Sequence, residues 1–320
     1  MEIISNPTRD EIIMAAKALK AGHLVAFPTE TVYGLGADAT NEKAIGKIYS
    51  VKGRPIDHPL IVHISSINQL GKWAVNIPEY GLKLANEFWP GPLTLILKRS
   101  DLAEDFITGS QSNVGLRIPA QPVALDLLSE FEKIGGSGIA APSANRFGAV
   151  SPTTANAVKS ELENFLDNED LILDGGPCLI GIESTIIDCT KVLPSVLRSG
   201  AITNEMIATV SGLDKSINTE LSKIKAPGVL ASHYSPKAKV VLGARAKNGE
   251  GFIAMSDIPT PSGAIRLASP TTIQEYARDL YAALRSSDEK NLNKVVILLP
   301  KGEGLAVAIR DRATKAATGK

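Results

Sequence analysis

Short apolar runs of strand length alternate with helix-length amphipathic segments along most of this chain, and the alternation limits the possible folds more than any other feature. The first helix is predicted between Pro7 and Gly22, because Ile12, Ala16 and Leu19 recur at helical spacing and a glycine follows. Several of the later strand-like runs are joined by connections too short for a helical crossover. The pattern therefore predicts an α/β fold with a mixed sheet.

The chain is predicted to form two domains, since its 320 residues exceed the size to which a single core usually grows. Residues 1–207 carry the interleaved strands and helices of the first domain. Residues 208–237 are rich in Ser, Lys, Pro and Gly with little periodic apolar character, which is typical of a linker. Residues 238–320 contain four strand-like runs and a clear helix, which predict a small, doubly wound α/β domain.

The composition argues against several classes of protein. Lys plus Arg and Asp plus Glu are 34 each, so the net charge is zero, which argues against a chain that mainly coats nucleic acid. The two cysteines, Cys178 and Cys189, form no CxxC motif, which argues against a disulfide framework or a structural zinc site. No apolar run is long enough to span a bilayer and the N-terminus does not resemble a signal peptide, so a cytoplasmic protein is expected.

Polar clusters lie at the ends of several predicted strands, where open α/β sheets bind their ligands. The clusters share hydroxyls, Arg or Lys, and small residues, and this content predicts an anionic ligand held by several segments at once. No nucleophile elbow, Walker loop or metal-binding histidine pair is present, so the pattern favours catalysis by positioning and charge stabilisation. The clusters are "PTETVYGLG", "KGRPIDHPLIVH", "LRIPAQP", "APSANRFGAVSPT", "GIESTIID" and "LRSG".

Three of these features also have a purely structural interpretation. The "GLG" of residues 34–36 lacks the spacing of a dinucleotide fingerprint and is more typical of a turn. Lys52 and Arg54 could be a solvated helix end whose charges complement the helix dipole. His63, inside the run "LIVHI", is more typical of a core histidine than of a ligand or a base.

Two further features differ in how easily a structural role explains them. Ser143 and Asn145 could simply cap the next turn, which is what Ser and Asn most often do. Arg117 lies between Leu116 and Ile118 on an apolar strand, and a buried guanidinium requires an anionic partner. Arg117 is therefore the strongest single candidate for a binding residue.

Taken together, the ordered motifs resemble those of the L-threonylcarbamoyladenylate synthases in their two-domain Sua5 form, whose first domain is called YrdC-like. They cover roughly residues 10–205, while "APGVLASHYSP" and "AIRDRATKA" resemble the family's linker and C-terminal end. The resemblance implies a twisted open sheet with a basic concave pocket, followed by a Rossmann-like C-terminal domain. It also implies an enzyme that joins L-threonine, bicarbonate or CO2, and ATP into threonylcarbamoyl-adenylate and releases pyrophosphate.

The resemblance further implies which residues bind each substrate. Arg117 is expected to pair with the threonine carboxylate, Mg2+ to accompany ATP without an organic cofactor, and the linker to close as a lid. Lys52, Arg54 and Ser143 are the expected catalytic residues. The expected threonine-binding residues are Thr31, His63, Arg117 and Ser184, and the expected ATP-binding residues are Arg54, His58, Asn113, Ala141, Ser143, Ser151, Arg198 and Tyr234.

The implied partners, besides the substrates, are the enzymes that transfer the threonylcarbamoyl group to tRNA, with at most a weak contact to tRNA and none to a membrane. An alternative from a different class is a double-stranded RNA-binding module, since YrdC-like domains have been regarded as such. Zero net charge and the lack of an aromatic stacking motif weigh against it. A carbamoyl transferase like the hydrogenase-maturation proteins is a third possibility, but their zinc-finger and acylphosphatase segments are absent from this chain.

Overall fold

The computed structural model describes residues 3–213, 224–228 and 234–318, so much of the predicted linker, at 214–223 and 229–233, lies outside the described residues. The helices are Arg9–Ala21 (α1), Glu42–Lys52 (α2), Leu70–Trp73 (α3), Glu79–Phe88 (α4), Asp105–Thr108 (α5), Pro122–Lys133 (α6), Ala155–Leu162 (α7), Asn204–Ser211 (α8), Ile273–Glu289 (α9) and Leu305–Ala317 (α10). The strands are Ile3–Ser5 (β1), Val25–Phe27 (β2), Gly34–Asp38 (β3), Ile61–His63 (β4), Leu93–Lys98 (β5), Asn113–Arg117 (β6), Ile139–Ala140 (β7), Leu171–Asp174 (β8), Thr185–Asp188 (β9), Ser195–Arg198 (β10), Lys239–Leu242 (β11), Gly251–Ile253 (β12), Ile265–Ala268 (β13) and Lys294–Ile297 (β14).

Local sequence signals set the ends of the helices nearest the pocket described below. The side chain of Thr8 accepts a hydrogen bond from the backbone of Glu11, whose side chain returns to Thr8, so α1 begins with a capping box. The side chain of Asn41 caps α2 by accepting from the backbone N–H of Ala44, and Gly53 ends the helix in the left-handed region at φ 61°. These caps fix the two ends of α2, whose last residue is Lys52.

The first part of the chain forms a ten-stranded sheet in the order β1-β8-β2-β3-β7-β4-β6-β5-β9-β10. Parallel pairs such as β4 with β6 alternate with antiparallel pairs such as β2 with β3. Apolar residues of α1 and α6 cover one face, and those of α2, α4 and α7 lie in the core on the other. The predicted mixed α/β fold is confirmed.

The "GLG" segment is a strand and not a turn. Gly34 and Gly36 belong to β3, which pairs antiparallel with both β2 and β7 in the middle of the sheet. A Cβ atom on Gly36 would lie 2.7 Å from Ile139 Cγ2 and 2.8 Å from the Phe27 ring. Close packing between neighbouring strands therefore explains Gly36.

The second sheet has four parallel strands in the order β11-β14-β12-β13. Val295 and Ile297 of β14 lie in one apolar cluster with α9 and α10, whereas Val296 faces loop residues such as Ala246 on the other side. The α/β class is confirmed, but a doubly wound arrangement is wrong for the described residues because both helices pack on the same face. The connections from β11 to β12 and from β12 to β13 contain no helix, so the other face has no helical layer among the described residues.

The two sheets are joined through shared apolar contacts. Val32, Val150 and Ile182 from the first part of the chain are buried in the same cluster as Tyr276 and Leu280 of α9. Helix α8 extends to Ser211, so the first residues of the predicted linker are helical. Among the helices described, none has the length and apolar character needed to cross a membrane.

Candidate active site

A pocket opens where several strands of the first sheet end. The loop after β2, the ends of β4, β6 and β10, the loop after β7 and the start of β9 all contribute walls to it. Residues 224–228, here called the strap, lie across it and contribute Pro227 and Gly228. Of the predicted catalytic and binding residues, the structure brings together Thr31, Lys52, Arg54, His63, Arg117, Ala141, Ser143, Ser184, Arg198 and Tyr234.

Arg117, at the end of β6, forms one corner of the pocket. Its Nη2 donates to Glu30 Oε1 at 2.6 Å, its Nη1 to Thr31 Oγ1 at 2.9 Å, and its Nε to the Gly91 carbonyl at 3.2 Å. Glu30 is also held by the backbone N–H of Ala120, which donates to Oε2 at 3.0 Å. Glu30, which the sequence left without a role, is therefore the buried anionic partner that Arg117 requires.

His63 lies beside Arg117 because the two residues are partners in the parallel pairing of β4 and β6. Its ring meets the Phe27 ring edge-on with centroids 5.9 Å apart, and its buried Nδ1 has no hydrogen-bond partner among the described residues. Burial and the neighbouring Arg117 charge lower the pKa of His63 from 6.5 to about 3. The residue is thus both a core histidine and part of the pocket wall, and it is neutral at neutral pH.

Ser184 and Arg198 form a second corner of the pocket. Arg198 donates from Nη2 to Ser184 Oγ at 3.1 Å and from Nε to the Ser184 carbonyl at 3.0 Å. The Ser184 hydroxyl also lies 2.8 Å from Thr94 Oγ1. Arg198 Nη1 donates to the Pro227 carbonyl at 2.9 Å, so this corner is tied directly to the strap.

Lys52 and Arg54 are buried, so the solvated helix end is wrong for this pair. Lys52 is 2% exposed and its Nζ donates to the carbonyls of Ser143 and Asn145, which fixes the loop after β7. Burial, followed by the Arg54 charge, lowers the pKa of Lys52 well below its ordinary value. Arg54 donates to the Pro59 carbonyl at 3.0 Å, its guanidinium lies 5.9 Å from the Phe147 ring centroid, and burial lowers its pKa to about 10.

Three of the predicted ATP-binding residues do not line this pocket. His58 packs edge-on against Phe147 with ring centroids 5.4 Å apart, near the pocket but not in its wall. Asn113 lines a smaller neighbouring cavity between β6 and the strap. Ser151 is buried and donates its hydroxyl to Glu183 Oε1 at 2.7 Å.

Glu183 lines the pocket and belongs to the "GIESTIID" cluster, but it was not among the predicted site residues. Its Oε2 accepts from Arg312 Nε at 2.8 Å and from the Tyr281 hydroxyl at 2.9 Å, both from the second part of the chain. Burial alone would raise the pKa of Glu183, but the Arg312 and Arg198 charges lower it to about 2. Arg312 belongs to the C-terminal motif "AIRDRATKA", 129 residues after Glu183. Because the two residues are so far apart in sequence, no local pattern indicates that they are partners.

Tyr234 lies over this ion pair. Its ring stacks on Tyr281 with centroids 5.5 Å apart and planes 27° apart, and the Arg312 guanidinium lies 5.5 Å from its centroid. Both contacts come from α9 and α10, so the second part of the chain supports one wall of the pocket.

The same arrangement of motifs occurs in known proteins. The family profile Sua5_yciO_yrdC, described as telomere recombination, matches residues 17–200, and the profile of the threonylcarbamoyl-AMP synthase C-terminal domain matches residues 202–318. The threonylcarbamoyl-AMP synthase of Pyrococcus abyssi is 40% identical over 96% of this chain and 94% of its own, and that of Bacillus subtilis is 38% identical over 97% and 94%. The crystal structure of P. abyssi Sua5 complexed with L-threonine matches with a TM-score of 0.88 at 36% identity, covering 100% of this chain and 98% of that one. This chain therefore belongs to the Sua5 family of threonylcarbamoyl-AMP synthases.

Proposed function

We propose that the pocket forms threonylcarbamoyl-AMP and pyrophosphate from L-threonine, bicarbonate or CO2, and ATP. The observation that carries this proposal is the division of the pocket into two cationic regions. Arg117, with Thr31 and His63, offers a corner that suits an amino acid. Arg54 and Lys52, which donate only to backbone carbonyls among the described residues, form a separate cationic region. The crystal structure of P. abyssi Sua5 complexed with L-threonine supports threonine as one of the substrates.

The chemistry of this reaction explains why cations and fixed hydroxyls are sufficient to catalyse it. The amine of threonine attacks the carbon of CO2 and loses a proton, which gives a carbamate; bicarbonate leads to the same carbamate with loss of water. A carbamate oxygen then attacks the α-phosphorus of ATP, and pyrophosphate leaves. Threonine, the carbamate and ATP all carry anionic groups, so the protein must offset charge and align the attack.

Mg2+ is proposed to enter with the phosphates of ATP. The pocket carboxylate of Glu183 is engaged by Arg312, and that of Glu30 by Arg117, so neither is a free metal ligand. Asn145 Oδ1 is buried without a hydrogen-bond partner in the described part of the chain, and with the Ser143 hydroxyl it fits a Mg2+ ion carried mainly by phosphate oxygens. The ion supplies charge neutralisation on the phosphates.

The product of this reaction is an activated acyl group, so a separate transferase must consume it. We propose that this acceptor reaction is the threonylcarbamoylation of an adenosine in tRNA, as the family resemblance implies. A buried pocket closed by the strap supports a small-molecule enzyme over the alternative double-stranded RNA module, because base-paired RNA is bound through exposed surface.

The test is pyrophosphate release from ATP and Mg2+ with bicarbonate and each amino acid in turn. We expect release to require both L-threonine and bicarbonate; release at the same rate without them would contradict the proposal. The two regions are separated by paired conservative variants. Arg117→Lys should raise the KM for threonine by about tenfold and change the KM for ATP by less than about twofold. Arg54→Lys should raise the KM for ATP by about tenfold and change the KM for threonine by less than about twofold. The reason in both cases is that lysine cannot replace a guanidinium fork. Equal effects on both substrates would reject the division of roles.

A further inference from the structure

Thr29 is a buried residue of the pocket wall that has no role in the binding of threonine or ATP as proposed so far. It lies in the turn between β2 and β3, two residues before Thr31. Its Oγ1 lies 2.6 Å from the Val32 carbonyl oxygen and 2.8 Å from Thr31 Oγ1. The backbone N–H groups of Thr31 and Val32 also donate to it, at 3.1 and 3.2 Å. Thr29 therefore connects the turn to the hydroxyl of Thr31.

The hydroxyl protons can be placed by counting donors and acceptors. A hydroxyl has a single proton to donate, and a carbonyl oxygen can only accept. The short contact to the Val32 carbonyl must therefore use the proton of Thr29. In the pair formed by the two hydroxyls, 2.8 Å apart, Thr31 is then the donor and Thr29 the acceptor. The longer contacts from the N–H groups of Thr31 and Val32 share the other lone pair of Thr29.

This assignment leaves Thr31 with a defined polarity. Its proton points to Thr29, and one of its two lone pairs accepts the hydrogen bond from Arg117 Nη1 at 2.9 Å. The remaining lone pair belongs to a fully buried side chain in the pocket wall. Thr31 therefore offers a hydrogen-bond acceptor to whatever binds beside Arg117, whose guanidinium offers only donors.

We propose that Thr29 is a positioning residue that holds the Thr31 hydroxyl as an acceptor, and that this polarity selects the amine of the amino-acid substrate. The inference rests on the proposed function, because it takes threonine as the ligand of this corner. An acceptor next to a guanidinium matches an amine next to a carboxylate, as an amino acid presents them. Without the Thr29 hydroxyl, the Thr31 proton is free to turn toward the ligand, where it opposes an amine that also donates.

The experiment compares L-threonine with 3-hydroxybutyrate, which keeps the carboxylate and the hydroxyl but lacks the amine. Dissociation constants of both ligands are measured by calorimetry or competition for the unsubstituted protein, Thr29→Val, Thr29→Ser and Thr108→Val. Thr108 is a matched control, since it is 1% exposed and donates its hydroxyl to the Glu104 carbonyl at 3.1 Å, away from the pocket. Thermal unfolding of each variant accompanies the binding measurements.

Thr29→Val should weaken L-threonine binding by about tenfold and change 3-hydroxybutyrate binding by less than about twofold, since only the amine loses a hydrogen bond to a buried acceptor. Thr29→Ser should restore both affinities to within about twofold, and Thr108→Val should alter neither. Equal weakening of the two ligands by Thr29→Val would mean that the turn has collapsed and would overturn the inference, as would unchanged threonine binding. Failure of the unsubstituted protein to bind threonine would instead reject the proposed function, and the inference with it.

Discussion

At the scale of single residues, the cations of the pocket differ in how their charge is compensated. Arg117 has a carboxylate partner in Glu30, at 2.6 Å. Lys52 and Arg54 form no ion pair among the described residues and donate only to backbone carbonyls there. An uncompensated buried cation is unfavourable, so these two positions are the ones that an anionic ligand stabilises most. This difference supports the assignment of the phosphates to the Lys52 side.

The protonation of His63 gives a prediction about pH. Burial and Arg117 hold its pKa at about 3 in the folded protein, against 6.5 in the unfolded chain. Between these values only the unfolded chain binds the proton, so the folded state loses stability as the pH falls from 6.5 toward 3. We expect this loss to total about 4 kcal/mol across the window, and His63→Asn to remove it. Urea unfolding at pH 7, 6, 5 and 4 measures it, since these points sample the window set by the two pKa values.

The same substitution at His23, which does not line the pocket, is the control for histidine replacement in general. If His63→Asn and the unsubstituted protein showed the same dependence of unfolding free energy on pH, the burial of a neutral imidazole at this position would be contradicted.

At the scale of elements, the strap is held in place mainly through its backbone. The Gln111 side chain accepts from the Lys225 N–H at 2.8 Å and donates to the Lys225 carbonyl at 3.0 Å, which imitates the pairing of a strand edge. Ala226 packs against Ile61 in a small apolar cluster, and Lys315 of α10 donates to the Gly228 carbonyl at 2.9 Å. The strap therefore lies across the pocket because several separate elements bind it, and its position does not depend on a secondary-structure preference of its own sequence.

The Gln111 clamp can be tested by proteolysis. Gln111→Ala removes both hydrogen bonds to Lys225, so the strap should open more often and trypsin should cut the Lys225–Ala226 bond about tenfold faster. Gln111→Glu keeps the acceptor and loses the donor, and an intermediate rate is expected. Cleavage after the exposed Lys301, identified by mass spectrometry in the same digest, is the internal control. Equal cleavage of the Lys225–Ala226 bond in all three proteins would show that the clamp does not hold the strap.

At the scale of the whole molecule, the two sheets meet through an interface that includes the pocket. Gly181 adopts φ 79°, and a Cβ atom on it would lie 2.4 Å from the Arg278 Cα of α9, so only glycine permits this close approach. Arg285 pairs with Glu161 at 3.1 Å across the same boundary. Together with Glu183 and Arg312, these contacts make the second part of the chain a structural support of the pocket.

Loss of the buried Arg312 charge should destabilise the whole protein. Arg312→Met leaves the Glu183 carboxylate buried without its ionic partner, so the free energy of unfolding should fall by about 3 kcal/mol. Arg310→Met, on the same helix, removes only hydrogen bonds to the Pro300 and Gly302 carbonyls and should cost about 1 kcal/mol.

Urea unfolding of both variants makes the comparison, and Glu183→Gln, alone and combined with Arg312→Met, completes a double-mutant cycle. A double variant that is more stable than Arg312→Met alone is expected, because the unpaired carboxylate is then absent. Similar losses for Arg310→Met and Arg312→Met would argue against a dominant role for the buried pair.

Much of the fold could be predicted because its signals are local. Helices α1, α2 and α9 carry apolar residues at helical spacing between recognisable ends, and the runs around His63 and Arg117 are apolar over the length of a strand. Among the elements that were missed, β3 and α10 have local reasons. The "GLG" of β3 lacks side chains that indicate a strand, and α10 lies in a segment considered only as a C-terminal motif.

The sequence by itself determined the class of fold and the polar segments that meet in the pocket, because strand ends with polar side chains are visible one segment at a time. Only the tertiary structure decided their partners. Glu30 and Arg117 are 87 residues apart, and Glu183 and Arg312 are 129 apart. Whether Lys52 is solvated or buried, and whether Glu183 is free or paired, depends on which distant segments pack against them. Local sequence patterns do not indicate such contacts, since the burial of a residue depends on the whole folded chain.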